Sequence, residues 1–256
     1  MTQAQLSLLK TLDEHEWDIF TLKEAKEAFK DKFDKLESLI ENLVNKEVLS
    51  RIERGKYCRA TFRDENVIGT RLVTDGVVAY WSALNLHGLT DQFPNKVFIQ
   101  TSLRKKDKSV FGVDYKFVST ELYKMTGFTI QGRGNHQFKM TNLEKTIIDC
   151  FDHPEYSGGY EELIKAFVQT PLNQERLIEY AKIIDNKAVT KRMGYVAELT
   201  SKKVFEGFIQ FAKSQVNGTY TLIDPIGNDE GEFIPEWKLR LNIVKKNLLE
   251  MGGKGQ

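Results

Sequence analysis

Apolar residues in the first part of the chain recur at helical spacing and predict three short helices. The first apolar stripe lies at residues 6–12, and Thr21 followed by Glu24 forms a capping box that opens a second helix. The third stripe runs over residues 33–44 and leaves polar side chains along the opposite face of its helix. The chain is therefore expected to begin with a small helical unit.

A basic hairpin is predicted after the third helix. Residues 49–52 and 57–60 flank a turn with the sequence ERGK. Three short helices followed by a hairpin predict a winged helix-turn-helix over residues 1–63. In that fold the third helix enters the major groove of DNA, and the hairpin, or wing, lies along the backbone. The predicted DNA-binding residues are Lys35, Ser38, Asn42, Asn45, Lys46, Arg51, Arg54, Lys56 and Arg59.

The side chains of this unit suit DNA, but its charge leaves the partner open. The amides of Asn42 and Asn45 can pair with adenine edges, and the lysines and arginines can neutralise phosphates. The same helix carries Asp34, Glu37 and Glu41, whereas a DNA-binding face is normally strongly basic. A winged helix retained for dimerisation or for protein contact is the alternative.

Residues 64–256 predict a larger unit that mixes helices and strands. Helical spacing and capping signals indicate helices at 64–73, 76–87, 142–151, 160–169, 173–184 and 204–216. Apolar runs between turn residues indicate strands at 96–101, 115–119, 128–131 and 137–140. Thr141 and Glu144 form a second capping box, and Gly194 is expected to interrupt a further helix. The predicted fold class is mixed α+β, with an N-terminal winged helix-turn-helix followed by a larger α+β effector domain.

Basic residues cluster at two places in the larger unit. The first cluster is expected to form a turn that projects into solvent, because it is too charged to be buried. In the second, Lys187 and Lys191 share one face if the segment is helical. The two clusters are Arg104, Lys105, Lys106 and Lys108, and then Lys187, Lys191 and Arg192. Clustered positive charge can engage phosphates or an acidic protein surface, and a merely solvated face is the alternative.

Length and composition indicate how many modules the chain forms and in which cellular compartment it acts. A chain of 256 residues, 41% of them hydrophobic, suits a small module attached to a larger one. The net charge is +1, no apolar run is long enough to span a membrane, and the N-terminus lacks the order of a signal peptide. Cys58 and Cys150 lie in unrelated contexts, which favours free thiols in a reducing compartment. We therefore expect a cytoplasmic protein.

Signals for catalysis are sparse along the chain. Asp149, Asp152 and His153 lie close together, but capping and helix-terminus contacts explain them at the end of an apolar helix. No CxxC or HxxxH spacing supports a zinc site. The Gly-Ser turn followed by Asp-x-Asp that a nucleotidyltransferase needs is missing as well. We expect no catalytic residue, no metal and no cofactor.

Five short motifs follow one another along the larger unit. They are WSALNLHGLTDQFPNKVFIQT from Trp81, NLEKTIIDC from Asn142, RMGY from Arg192, LIDP from Leu222 and WKLRLN from Trp237. Their order and approximate spacing behind a winged helix resemble the AbiEi family of antitoxins, from bacterial toxin–antitoxin systems linked to abortive phage infection. The resemblance covers nearly the whole chain and assigns the effector domain to residues 64–256.

The resemblance implies the antitoxin of a type IV system, which represses its own operon and opposes a nucleotidyltransferase toxin without requiring a stable complex. Its DNA partner is expected to be the inverted repeats of its own promoter. Binding should be cooperative, because a single winged helix reads only a few base pairs. The two basic clusters are then the candidate antitoxin surface. The alternative function is a transcription regulator whose larger domain binds a small ligand or a protein.

Overall fold

The structure is a computed structural model, and it describes residues 1–30, 32–200 and 203–251. Its first part has the element order of a winged helix. The elements are α1 (Gln3–Glu14), β1 (Ile19–Thr21), α2 (Leu22–Ala28), α3 (Leu36–Asn45), β2 (Leu49–Glu53) and β3 (Lys56–Arg59). The strands pair antiparallel in the order β1–β3–β2. The three predicted helices and the hairpin are confirmed, whereas the short strand β1 was not predicted.

Local chemistry explains where these helices begin. The hydroxyl of Thr21 accepts from the amide of Glu24 at 3.1 Å, and the Glu24 carboxylate accepts from the amide of Thr21 at 2.7 Å. The predicted capping box therefore opens α2. In α3 the predicted apolar stripe faces inward, with Ile40 and Leu43 fully buried. The opposite face of α3 is consequently left to polar residues.

A six-stranded sheet forms the centre of the larger module, residues 64–251 in the structure. Its elements are α4 (Glu65–Arg71), β4 (Val77–Val78), α5 (Tyr80–Leu86), β5 (Val97–Thr101), β6 (Lys108–Val110), β7 (Val113–Ser119), β8 (Phe128–Gln131) and β9 (Phe138–Thr141). The strand order is β6–β7–β5–β4–β9–β8. The β5–β7 and β4–β9 pairs are parallel, and the other three pairs are antiparallel.

The prediction of one helix over residues 76–87 is wrong at its start. Val77 and Val78 form the central strand β4, which pairs with Ile99 and Gln100 of β5 and with Met140 of β9. Both valines are buried, and β-branched residues favour an extended backbone. The helix begins only at Tyr80.

A helical layer completes the larger module. It comprises α6 (Leu143–Asp152), α7 (Tyr160–Gln169), α8 (Gln174–Ile184), α9 (Lys187–Leu199), α10 (Glu206–Ser214) and α11 (Lys245–Met251). A small sheet, made of β10 (Thr221–Leu222), β12 (Leu239–Leu241) and β11 (Glu232–Ile234) in that spatial order, packs against these helices. In the part of the chain that the structure describes, no helix is long and apolar enough to cross a membrane.

Two details of this layer differ from the sequence predictions. The helix α9 runs without interruption through Gly194, where a Cβ would lie 2.5 Å from the Ala212 side chain and 2.6 Å from the Trp237 ring. Gly194 thus permits close packing rather than a break. The predicted capping box at Thr141 is also wrong, because Thr141 belongs to β9 and the side chain of Asn142 caps α6. That side chain accepts from the amide of Lys145 at 3.0 Å.

The winged helix and the larger module share a hydrophobic core. One face of the wing sheet turns away from α3 and packs on the six-stranded sheet and α4. This shared core includes Ile19, Ile52, Cys58 and Phe62 from the first module, and Val67, Ile68, Ile99 and Tyr115 from the second. Burial of this apolar surface joins the two modules into one packed body.

Polar contacts reinforce this junction at the β8–β9 turn. The Asn135 side chain accepts from the amides of Asp18 and Ile19 at 2.9 and 2.8 Å and donates to the carbonyl of Ile19 at 2.8 Å. His136 Nε2 lies 2.7 Å from an oxygen of the Asp18 carboxylate. The turn therefore satisfies backbone groups at the start of β1 that would otherwise be unpaired.

Candidate nucleic-acid interface

The outer face of α3 presents a row of short polar side chains. Ser38, Asn42 and Asn45 are all exposed, and their spacing of four and three residues places them on one side of the helix. Lys35 lies at the N-cap and Lys46 at the C-cap, and both are exposed as well. The Lys46 ammonium donates to the side chain of Gln5 at 3.0 Å. Two amides and a hydroxyl thus stand between two lysines, as sequence periodicity predicts.

Two of the three acidic residues that make α3 look unsuited to DNA, Glu37 and Glu41, have basic partners, whereas Asp34 has no ion-pair partner among the described residues. Glu41 is ion-paired with Arg51 and accepts from the Tyr57 hydroxyl at 2.8 Å. Hydrogen bonds from Tyr57 and Arg51 lower the pKa of Glu41. Glu37 lies 3.1 Å from the ammonium of Lys26 on α2. These partners offset the negative charge of the helix, and Arg51, although exposed, is already engaged by Glu41.

The wing is held by the larger module instead of projecting from it. The Glu53 carboxylate lies 2.7 Å from Lys105, 3.0 Å from Lys56 and 3.6 Å from Lys108. Burial alone would raise the pKa of Glu53, but hydrogen bonds from Lys105 and Lys56 outweigh it and the pKa is lowered. Lys56 also donates to the carbonyl of Leu72 at 2.6 Å. We call Glu53 and these three lysines the Glu53 cluster.

Two of the nine predicted DNA-binding residues serve the fold. Arg59 is only 15% exposed, is ion-paired with Asp13 and donates to the carbonyl of Leu9 at 3.3 Å. Lys56 belongs to the Glu53 cluster. The prediction that these two cations face DNA phosphates is therefore wrong, because both are directed at groups inside the molecule. Arg54, at the tip of the two-residue turn, is exposed and has no ion-pair partner among the residues that the structure describes.

A basic residue of α2 and another just after it extend the exposed charge beside α3. Lys26 and Lys30 line a hollow of about 390 Å³ together with Lys35 and Ser38. Lys26 is exposed on α2, and Lys30 is exposed just beyond the end of that helix at Ala28. Sequence reasoning missed these two lysines, because their place beside α3 depends on how the two helices pack.

The first basic cluster of the larger module is divided between solvent and the wing. Arg104 and Lys106 are exposed, as predicted. Lys105 and Lys108 belong to the Glu53 cluster, and Lys108 also donates to the carbonyl of Ile52 at 2.8 Å. The expectation that the whole turn projects into solvent is therefore wrong. Lys105 and Lys108 face the wing because the Glu53 carboxylate lies close enough to form ion pairs with them.

The second basic cluster is mostly buried. Lys187 is exposed, but Lys191 is 0% exposed and donates to the carbonyls of Thr219 and Lys238 at 2.7 and 3.2 Å. Arg192 is buried and its Nε donates to the carbonyl of Leu222 at 2.8 Å. Burial lowers the pKa of both side chains. The predicted shared surface of Lys187 and Lys191 is wrong, because α9 enters the core after its first turn.

The acidic group near the end of α6 forms a buried polar network. Asp149 is ion-paired with Lys145, one helical turn earlier, and accepts from the Gln100 amide at 3.1 Å. Burial raises the pKa of Asp149, and Lys145 and Gln100 offset part of that rise. Contacts at the end of the helix explain its neighbours Asp152 and His153, but they do not explain Asp149 itself. Among the described residues no three His, Cys, Asp or Glu side chains are grouped so that they could hold a metal ion.

Comparison with known proteins bears on the fold. No family model matches the chain, and neither does any curated protein. A solved structure that matches is described as "Crystal structure of RV2827C protein from Mycobacterium tuberculosis", with a TM-score of 0.62 and 13% sequence identity. The match covers 99% of this chain and 96% of that chain. At this identity the likeness concerns the fold alone, and it extends over both modules: the chain has a mixed α+β fold that the mycobacterial protein shares along nearly its whole length.

Proposed function

We propose that this chain is a DNA-binding antitoxin of the AbiEi type, which acts in the cytoplasm, represses its own operon and opposes a nucleotidyltransferase toxin. The observation that carries the DNA-binding part is the exposed row of Ser38, Asn42 and Asn45 on α3. The third helix of a winged helix is the element that enters the major groove. The antitoxin part is supported by the ordered motifs of the larger module, from WSALNLHGLTDQFPNKVFIQT to WKLRLN.

In this proposal α3 supplies the contacts to bases, and its flanking lysines supply contacts to phosphates. The amides of Asn42 and Asn45 can each make two hydrogen bonds to an adenine edge. Lys35 and Lys46, at the two ends of the helix, can neutralise phosphates on either side of the groove. With most of the wing cations engaged internally, little of the affinity comes from the wing. Two copies on inverted repeats compensate through cooperative binding.

The DNA-binding part predicts a specific result for Asn42→Ala combined with Asn45→Ala. Removing the amide that reads one base should cost about 1–3 kcal/mol, because nothing in alanine replaces its hydrogen bonds. The affinity for DNA from upstream of the gene should fall by roughly tenfold or more per amide. Fluorescence anisotropy with that DNA measures the change.

Asn247→Ala on α11 is the matched control, because Asn247 is also an exposed asparagine on a helix but lies in the larger module. Its affinity should equal that of the unmodified protein. Equal affinities for the α3 variant and the Asn247 variant would remove α3 as the element that recognises DNA.

The antitoxin part predicts that exposed basic residues of the larger module are needed for rescue from the toxin. Reversal of charge at Arg104, Lys106 and Lys187 should abolish growth when the cognate toxin is co-expressed, because these are the exposed members of the two basic clusters. The Asn42→Ala, Asn45→Ala variant should still rescue growth. Full rescue by a folded charge-reversed variant would exclude these residues from the antitoxin surface.

A further inference from the structure

A large cleft separates the winged helix from the larger module on the side of α2. It has a volume of about 1280 Å³. One wall is α2 with the tip of the wing, and the other is the end of α4 with strands β8 and β9. Sites for small ligands usually measure about 300–1,000 Å³, so the cleft is larger than a typical cofactor site. Its size suits an extended segment of a polymer.

The walls of this cleft carry a surplus of positive charge. Seven lysines and arginines line it against two glutamates, Glu24 and Glu27, although the whole chain has a net charge of only +1. The basic residues are Lys23 and Lys26 from α2, Lys30 just after it, Arg54 and Lys56 from the wing, and Arg71 and Lys139 from the larger module. A cleft lined by one sign of charge focuses the field and attracts the opposite charge. The occupant should therefore be an anion.

Only some of these charges are neutralised within the protein. Arg71 lies 3.0 Å from Glu24, and Lys26 pairs with Glu37 at 3.1 Å. Lys23 lies 3.9 Å from Glu27, and Lys56 belongs to the Glu53 cluster, so four of the seven cations are paired. Arg54, Lys30 and Lys139 have no ion-pair partner among residues 1–30, 32–200 and 203–251. They come from three separate parts of the chain, which distributes unpaired positive charge over both walls.

Apolar side chains lie between these cations on the wall formed by β8 and β9. Ile130 is 54% exposed and lines the cleft. Phe138 also lines it, with part of its ring packed against the shared core. Ile130 stands directly opposite Lys139 in the pairing of the two strands. Exposed apolar surface beside cations matches a ligand whose charged groups alternate with flat apolar ones. Nucleic-acid strands have this character, since phosphates alternate with flat bases that stack on aromatic side chains and contact apolar ones.

We propose that this cleft binds a single strand of nucleic acid, with the phosphates on Lys30, Arg54 and Lys139 and the bases against Ile130 and Phe138. The site is separate from the row of amides on α3. It would allow the protein to hold an RNA strand or an unpaired DNA strand independently of a duplex operator. An acidic protein segment would satisfy the cations but would leave the apolar side chains without a partner.

The test compares Lys139→Glu with Lys246→Glu, a charge reversal at a lysine of α11 that is 80% exposed and does not line the cleft. Labelled oligothymidylate and oligouridylate are titrated against each variant at several salt concentrations. Lys139→Glu should weaken the binding of both strands and reduce the magnitude of the salt slope by about 0.7 for each phosphate that is no longer neutralised. Lys246→Glu should change neither quantity.

Two further measurements separate this site from its alternatives. Ile130→Ala should weaken single-strand binding while leaving the salt slope unchanged, because it removes apolar surface and no charge. The binding of the upstream duplex should be unchanged in Lys139→Glu, so failure of the proposed DNA-binding function would not imitate failure of this one. The proposal is overturned if the unmodified protein does not bind the strands, if Lys139→Glu and Lys246→Glu behave alike, if only duplex binding is impaired, or if polyglutamate competes equally well.

Discussion

Lys145→Ala is expected to lower the stability of the protein sharply. Lys145 is fully buried, and its ammonium is ion-paired with Asp149, which is also buried. Removing one partner leaves an uncompensated charge in the core, which typically costs about 3–5 kcal/mol. Urea unfolding should show this loss of stability as a lower midpoint at an unchanged slope.

Two companion variants isolate the cause of this destabilisation. Lys165→Ala removes the lysine of an ion pair on α7 whose lysine side chain is 43% exposed, so it should cost about 1 kcal/mol at most. Lys145→Met combined with Asp149→Leu removes both charges and should recover most of the stability, because no unpaired charge remains. If Lys145→Ala costs no more than Lys165→Ala, the buried pair does not stabilise the fold as described.

Deleting residues 1–63 is expected to unfold the larger module rather than release it. Ile19, Ile52, Cys58 and Phe62 pack into the shared core, and burial of one such side chain is worth about 1.5–3 kcal/mol. The sum approaches the whole stability of an ordinary domain, about 5–15 kcal/mol. The isolated module should therefore lack a cooperative unfolding transition in a thermal melt. A deletion cannot separate DNA binding from toxin neutralisation, whereas substitutions on α3 can.

A point substitution in the full-length chain also tests how much the shared core contributes to stability. Ile52→Ala should cost about 2–5 kcal/mol, because it opens a cavity where the wing meets the larger module. Leu6→Ala is the control, since Leu6 is 51% exposed and should be nearly neutral. A cooperative, native-like melt of residues 64–256 alone would show that the shared core is not needed.

Local patterns in the sequence are sufficient to predict most of the elements. The capping box at Thr21 and the apolar stripe of α3 depend on residues within a few positions of one another, so periodicity finds them. Prediction fails where contacts with residues far away in the sequence determine the secondary structure. Val77 and Val78 form a strand because β5 and β9 lie on either side of them. Gly194 lies within a helix because its missing side chain leaves room for Ala212 and Trp237 to pack closely.

The same distinction applies to the candidate sites. The exposed face of α3 follows from helical spacing alone. The internal partners of Arg59 and Lys105 do not, because Asp13 and Glu53 lie far from them in the sequence. Lys191 was predicted to lie at the surface, yet it donates to the carbonyls of Thr219 and Lys238 in the core. The basic cleft was not predicted, since its charges come from four separate parts of the chain.

The central claim, that α3 reads duplex DNA, is tested most directly by selecting duplexes from a random pool with the full-length protein. We expect enrichment of an inverted repeat with adenine at the positions that Asn42 and Asn45 contact. The Asn42→Ala, Asn45→Ala variant should lose the preference at those positions. Failure to enrich any sequence, or enrichment of the same repeat with equal preference by the variant, would contradict the claim.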